Sequence, residues 1–163
     1  MTRHSHCSFC GTSYPPNAPW PRHCVACAQV SYVNPLPVAV LLIPVDDGLV
    51  TIRRDIEPRR GHLALPGGFI DVGESWQHAA AREAHEEAGV RIDPASVTLF
   101  DAASAPDGTL LVFGLCPRMA RADLPASAPT DETSGWEVID EPTPLAFPLH
   151  TAAAQRYFDR QND

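Results

Sequence analysis

The sequence predicts an α/β domain, a mixed sheet packed between helices, with a small cysteine-rich module ahead of it. Three observations carry that expectation. Apolar runs of strand length, such as PVAVLLIPV and LLVFGLC, are bounded by turn residues. A glycine loop opens directly into the carboxylate-rich helical stretch SWQHAAAREAHEEA. Four of the five cysteines fall in the first 27 residues as two Cys-x-x-Cys pairs.

Bulk properties set the limits. At 163 residues the chain makes one domain of ordinary size with a small appendage. Hydrophobic content of 44% and charged content of 20% describe a soluble globular protein. No apolar stretch approaches the roughly 18 residues that span a membrane, and the N-terminal MTRHSHCSFC lacks the apolar core of a signal peptide. A cytoplasmic protein without a membrane partner is expected. Net charge is −8, and all twelve basic residues are arginine. Without lysine there is no Schiff-base catalysis and no phosphate-loop lysine. The acidic balance argues against nucleic acid as a partner, which needs a basic face.

In chain order, Cys7 and Cys10, then thirteen residues, then Cys24 and Cys27 form two knuckles. In a reducing compartment such pairs favour tetrahedral zinc over disulfides. A redox dithiol or a ribbon that has lost its metal is the alternative. The intervening GTSYPPNAPWPRH is too proline-rich for a helix interior, and a segment this short has too little core to fold alone, so metal would supply the folding energy. Cys116 sits in an apolar run and reads as a buried small residue. Ser31 to Pro35 reads as a linker. From Pro37 to Val45 a continuous apolar run reads as a buried strand, Asp46-Asp47-Gly48 as a tight turn, and LVTIRR as its partner strand. His62 to Leu65 reads as a short strand entering the Pro66-Gly67-Gly68 loop. A helix is expected from Ser75 to Ala88, ended by a left-handed Gly89. Trp76, Ala80, Ala84 and Ala88 form one stripe, whose small side chains allow close approach to the sheet. Val97–Asp101 and Leu110–Cys116 read as a hairpin around Pro106-Asp107-Gly108. Trp136 to Ile139 reads as a strand, and Thr151 to Arg160 as a closing helix.

The helix carries the chemistry. Glu83, Glu86 and Glu87 stand at i, i+3 and i+4, which at about 100° per residue gathers them toward one side. Like charges at that spacing repel by a few tenths of a kcal/mol per pair. Glu86 and Glu87 also lie in the last turn, where the helix dipole disfavours anions. Arg82 can pair with Glu86 at i+4 and leaves most of the charge unanswered. A multivalent cation would answer it, and hard oxygen donors suit Mg²⁺ or Mn²⁺. A solvated acidic face is the plain alternative, but it explains neither the glycines, nor Glu74, nor the arginine.

Residues 68–90, GFIDVGESWQHAAAREAHEEAGV, resemble the Nudix hydrolase signature G-x5-E-x7-R-E-U-x-E-E-x-G-U. Gly68, Glu74, Arg82, Glu83, Glu86, Glu87, Gly89 and Val90 match, and Ala84 stands where a larger aliphatic residue is preferred. The Tyr-Val-Asn-Pro segment is similar to the linker of Nudix subfamilies that carry an N-terminal zinc ribbon. The resemblance therefore implies a zinc ribbon over residues 1–33, with Cys7, Cys10, Cys24 and Cys27 on zinc. It implies a Nudix hydrolase domain, an α/β/α sandwich, over residues 34–163.

The same resemblance implies hydrolysis of a nucleoside diphosphate linked to a second moiety. Glu83, Glu86, Glu87 and the Gly68 carbonyl would hold Mg²⁺ or Mn²⁺, Arg82 would orient the carboxylates, and Glu74 would brace the loop. The general base is a helix glutamate or an outside carboxylate. Glu132, four residues ahead of Trp136, is the outside candidate, with Asp131 its competitor; a solvated loop carboxylate is the plain alternative. For substrate phosphates, strand alternation favours Arg54 over Arg53, with Arg59 and Arg60 as weaker candidates. Trp20, Trp76, Trp136 and Phe147 are aromatics able to stack on a base, although burial explains each more simply.

The stretch IRRDIEPRRGHLALPGGFIDVGES resembles the ADP-ribose pyrophosphatase-like branch. NADH pyrophosphatases also carry a zinc ribbon, but TLFDAASAPDGTLLVFG lacks their Ser-Gln-Pro-Trp-Pro-Phe-Pro type array. An ADP-ribose-like substrate is favoured over NADH or another dinucleotide. A non-catalytic nucleotide-sugar sensor is a further alternative, and such members usually lose helix glutamates that are all present here. Docking of the ribbon to a protein, or to a second copy in a homodimer, stays open.

Overall fold

A computed structural model describes residues 3–161 of the chain. It divides into two compact units, Met1–Pro35 and Leu36–Asp163.

The first unit is organised by two equivalent turns. Cys7 N–H donates to Thr12 O at 2.8 Å and Gly11 N–H to Cys7 O at 3.0 Å. Cys24 N–H donates to Gln29 O at 2.9 Å and Ala28 N–H to Cys24 O at 2.9 Å. The fourth residue after each leading cysteine takes positive φ, 76° at Gly11 and 60° at Ala28. Two strands, β1 (Arg22–His23) and β2 (Val30–Ser31), pair antiparallel around the second turn. The four thiol sulfurs lie within 4.8 Å of one another. Cys7 Sγ stands 3.7 Å from Cys27 Sγ, and Cys10 Sγ 3.6 Å from Cys24 Sγ. A sulfur tetrahedron around a metal at about 2.3 Å has edges of about 3.8 Å. The set is therefore of the right size and chemistry to hold a tetrahedral metal ion.

In the second unit the apolar run from Pro37 to Val45 is not one strand. β3 (Leu36–Leu42) stops at Ile43, and β4 (Pro44–Val45) continues in a second sheet. The expected hairpin with LVTIRR is confined to β4, where Pro44 faces Leu49 and Val45 faces Gly48 of β5 (Gly48–Arg54). The reason is that both edges of β3 are already taken. β7 (Gly67–Phe69) pairs antiparallel on one side and β9 (Thr109–Leu115) parallel on the other. β8 (Thr98–Ser104) completes a mixed sheet in the order β7-β3-β9-β8, forming the expected hairpin with β9. β5 lies in an antiparallel sheet with β4, β6 (Leu63–Ala64) and β10 (Thr133–Ile139).

Two helices cover the mixed sheet. α1 runs Trp76–Ala88 and α2 runs Pro148–Asp159. α2 begins three residues before the expected Thr151 because Pro148, with its fixed φ, is well suited to a first turn. Alternation along β3 divides the core. Ala39, Leu41 and Ile43 cluster with Ala79, Ala80, Ala84 and Ala88 of α1. Val40 and Leu42 cluster with Ala153, Ala154, Tyr157 and Phe158 of α2. Leu41 and Leu42 are fully buried, each worth about 2 kcal/mol in transfer from water. One strand thus serves two cores, and the helix–sheet–helix layering of the predicted sandwich follows. Among the described residues no helix is long and apolar enough to cross a membrane.

Candidate active site

The site is built on α1. Ser75 caps it, its Oγ accepting from the His78 N–H at 3.3 Å. Gly89 ends it at φ 71°, with its N–H on His85 O at 2.9 Å. Alanines 79, 80, 81, 84 and 88 are buried, so the helix lies close to β3. Ala79, outside the predicted stripe, is fully buried because it lies beside Ala80 against the same face. Trp76 packs only at the edge of that core.

Arg82 does more than pair with Glu86. Its Nη1 donates to Glu83 Oε1 at 2.8 Å and to Glu86 Oε2 at 3.0 Å. Its Nη2 donates to Glu74 Oε1 at 2.8 Å and to the Phe69 carbonyl at 3.0 Å. Glu74 Oε1 also accepts from the Asp71 N–H at 2.8 Å. One planar guanidinium therefore joins the loop after β7 to two helix carboxylates, a geometry open to arginine and not to lysine. The Arg82 contact holds Glu74 below the usual carboxylate range, helped by the Asp71 amide. Its carboxylate partners hold the Arg82 proton more tightly than usual, Glu74 first.

Glu87 stands apart from this fork. It is 4% exposed, and its Oε2 accepts from the Gly67 N–H at 2.8 Å. Burial pushes its carboxyl up to about 8; nearby Glu83 and Glu132 add to the rise, and Gly67 and Arg54 oppose it. Burial also raises Glu83, against the pull of Arg82. Two carboxylates are thus held where the protein alone disfavours their ionised forms. Gly68 leaves no room for a side chain, because an added Cβ would collide with the Glu83 carboxylate. The buried Thr133 Oγ1 donates to the Glu87 carbonyl at 2.9 Å and ties β10 to the last turn of α1.

These residues face a cleft of about 680 Å³. Arg54, Gly68, Arg82, Glu83, Glu86, Glu87, Asp131 and Glu132 all line it. Arg53 and Arg59 do not. Arg53 points to the other face of β5, ion-paired with Glu137 at 2.7 Å and donating to the Gly61 carbonyl at 2.7 Å. Arg59 is exposed in the loop after β5, at φ 68°. Arg54 Nε holds Pro58 O at 2.9 Å, and its guanidinium lies 5.2 Å from the centre of the Phe147 ring. The buried, partly unanswered carboxylates are hard donors suited to a divalent cation, with the Gly68 backbone beside them. Sequence reasoning missed the Gly67 amide, Thr133 and Phe69 as members of the site. Gly67 alone left a signal, in the paired glycines ahead of the helix.

The NUDIX domain family model matches residues 35–159. The chain belongs to the Nudix hydrolase family. This Nudix chain is 32% identical over 90 residues to a NAD-capped RNA hydrolase NudC of Shigella flexneri, covering 55% of this chain and 35% of that protein. It therefore spans about a third of the length of the curated relatives it matches. A NUDIX hydrolase structure from Nitrosomonas europaea superposes with a TM-score of 0.74 at 26% identity, covering 97% of this chain and 92% of the other. A bifunctional NMN adenylyltransferase/ADP ribose pyrophosphatase from Francisella tularensis, at 23% identity and a TM-score of 0.56, covers 66% of this chain and 33% of its own. That last likeness concerns the fold alone.

Proposed function

We propose that the domain hydrolyses the phosphoanhydride of a nucleoside diphosphate joined to a second moiety, with ADP-ribose as the favoured kind of substrate. The observation that carries this reading is the Arg82 fork on Glu83 and Glu86, with buried Glu87 beside it, facing a cleft that also receives Arg54. Bound Mg²⁺ or Mn²⁺ would neutralise the diphosphate and acidify a water. Glu83, Glu86, Glu87 and the Gly68 carbonyl are the groups that would hold it. Arg82 keeps the carboxylates in place before substrate arrives, so little reorganisation remains at reaction. Arg54, lining the same cleft, would offer a cation to the substrate phosphates. Glu132 is our candidate for the base outside the helix, since it shares the cleft with Glu83 and Glu87. Asp131 lines the same cleft and is its control.

The likeness to NudC supports a second reading, hydrolysis of the pyrophosphate of an NAD-type dinucleotide. The missing aromatic-proline array between Thr98 and Gly114 favours the first. For the ribbon, residues 1–33, we propose structural zinc on Cys7, Cys10, Cys24 and Cys27. The test is product analysis with ADP-ribose, NADH and NAD-capped RNA in Mg²⁺ or Mn²⁺, beside Glu86→Gln. Metal-dependent cleavage of ADP-ribose above the others supports the first reading, and preference for the dinucleotides the second. No cleavage by the native chain, or equal cleavage by the variant, overturns both.

A further inference from the structure

A second cavity, of about 620 Å³, lies beyond Phe147. Val38, Leu111, Phe147 and Leu149 give it a mainly apolar wall. Asp107 at its rim is occupied, its Oδ1 accepting from the Thr109 N–H at 3.0 Å and hydroxyl at 2.7 Å. His150 also lines this cavity, and the side chain is 6% exposed overall. Its Nδ1 accepts from the Leu65 N–H at 3.3 Å. Burial, helped by Arg54 nearby, pushes the ring down to about 3, so at neutral pH it is uncharged. An uncharged ring whose Nδ1 accepts must carry its proton on Nε2. No side chain or carbonyl among the described residues takes that Nε2–H as a hydrogen bond.

The cavity and the acidic cleft meet where Arg54 of one contacts Phe147 of the other. Arg54 lines the cleft and lies over Phe147, 5.2 Å from its centre. Phe147 lies 5.1 Å from His150, ring centre to ring centre. The row Arg54–Phe147–His150 thus passes from a phosphate-binding cation, through an aromatic face, to an unshared donor. A nucleoside diphosphate has the same order of parts, with anionic phosphates, a linking sugar, and a flat heterocycle carrying lone-pair acceptors.

We propose that this cavity is the nucleobase subsite and that His150, through its Nε2–H, donates to an acceptor atom of the base. The assignment rests on the phosphoanhydride reading above and adds to it a specificity-determining residue. A donor open to the cavity and covered by a bound base discriminates strongly, because a base that offers no acceptor there leaves it unpaired. His150→Asn is the informative variant, since the asparagine oxygen can keep the Leu65 bond where Nδ1 stood while the distal donor is lost.

Two measurements on the full chain test this. In the first, adenosine, guanosine and uridine, which carry no phosphate, are titrated while the His150 ring nitrogens are followed by NMR. At least one should shift the Nε2 signal, and His150→Asn should weaken its binding about tenfold. In the second, kcat/KM is compared for diphosphate sugars of adenosine, guanosine and uridine. The preference among bases should shrink about tenfold in His150→Asn, mainly through KM, with the thermal midpoint retained. Ser104→Trp, at the exposed rim of the cavity, should block nucleoside binding without touching His150. Unmoved ring signals with all three nucleosides, or an unchanged base preference in His150→Asn, overturn the subsite. A chain that binds nucleosides through His150 yet cleaves no diphosphate overturns the function instead and leaves the subsite standing.

Discussion

The Gly67 amide meets Glu87 Oε2 at 2.8 Å, so the start of β7 and the last turn of α1 are joined by a backbone donor and a buried carboxylate. The donor compensates part of the cost of burying that charge, but among the described residues only one of the two oxygens accepts a hydrogen bond. Glu87→Gln should keep the Gly67 bond through its amide oxygen and remove the charge. In metal-free buffer its melting temperature should equal or exceed that of the native chain. Its kcat should fall by about a hundredfold or more, as expected when a metal ligand rather than a supporting group is lost. A large drop in stability would show that Glu87 is structural.

Arg82→Lys tests the fork. Lysine keeps one positive charge but cannot reach Glu74, Glu83, Glu86 and Phe69 O together. A loss of about 10- to 100-fold in kcat, with weakened Mn²⁺ affinity by titration calorimetry, is expected. Near-native values for both would show that charge alone suffices.

His150 predicts a pH dependence of stability. Its folded value of about 3 lies below the ordinary 6.5. The unfolded chain therefore binds the extra proton first as pH falls. The contribution of the neutral ring is fully present above about pH 6.5 and is lost toward pH 3, by at most about 1.4 kcal/mol per pH unit. Urea midpoints of the native chain should drop more steeply below pH 6.5 than those of His150→Asn. Parallel curves would contradict a buried neutral histidine.

Removal of the proposed zinc should unfold the first unit, whose described residues form only two-residue strands. Cys24→Ser should lower bound zinc, measured by elemental analysis. It should also expose residues before Leu36 to protease while a resistant fragment from the second unit remains. Equal resistance of both units after chelation would argue that the ribbon holds together without metal.

Much of this was legible in the sequence where local chemistry decides. Ser75 and Gly89 bound α1 as their types dictate, and glutamate spacing placed the carboxylates at the cleft. Strand alternation separated Arg54 from Arg53. What escaped depended on partners distant in the chain. The break at Ile43 follows from β7 and β9 occupying both edges of β3, which no local pattern announces. Thr133 and His150 looked ordinary because their bonds, to Glu87 O and Leu65 N–H, span 46 and 85 residues.

The alternation of β3 also acts as a gauge. Ala39 packs with the alanines of α1, and Val40 faces the other way. Sliding the strand by one position would set a valine under that helix and an alanine under α2. The first would lift the acidic turn off its glycines and the second would open a void. Deleting a single residue between Leu36 and Ala39 would then preserve composition and hydropathy almost unchanged, yet cost the enzyme its spacing between loop and carboxylates.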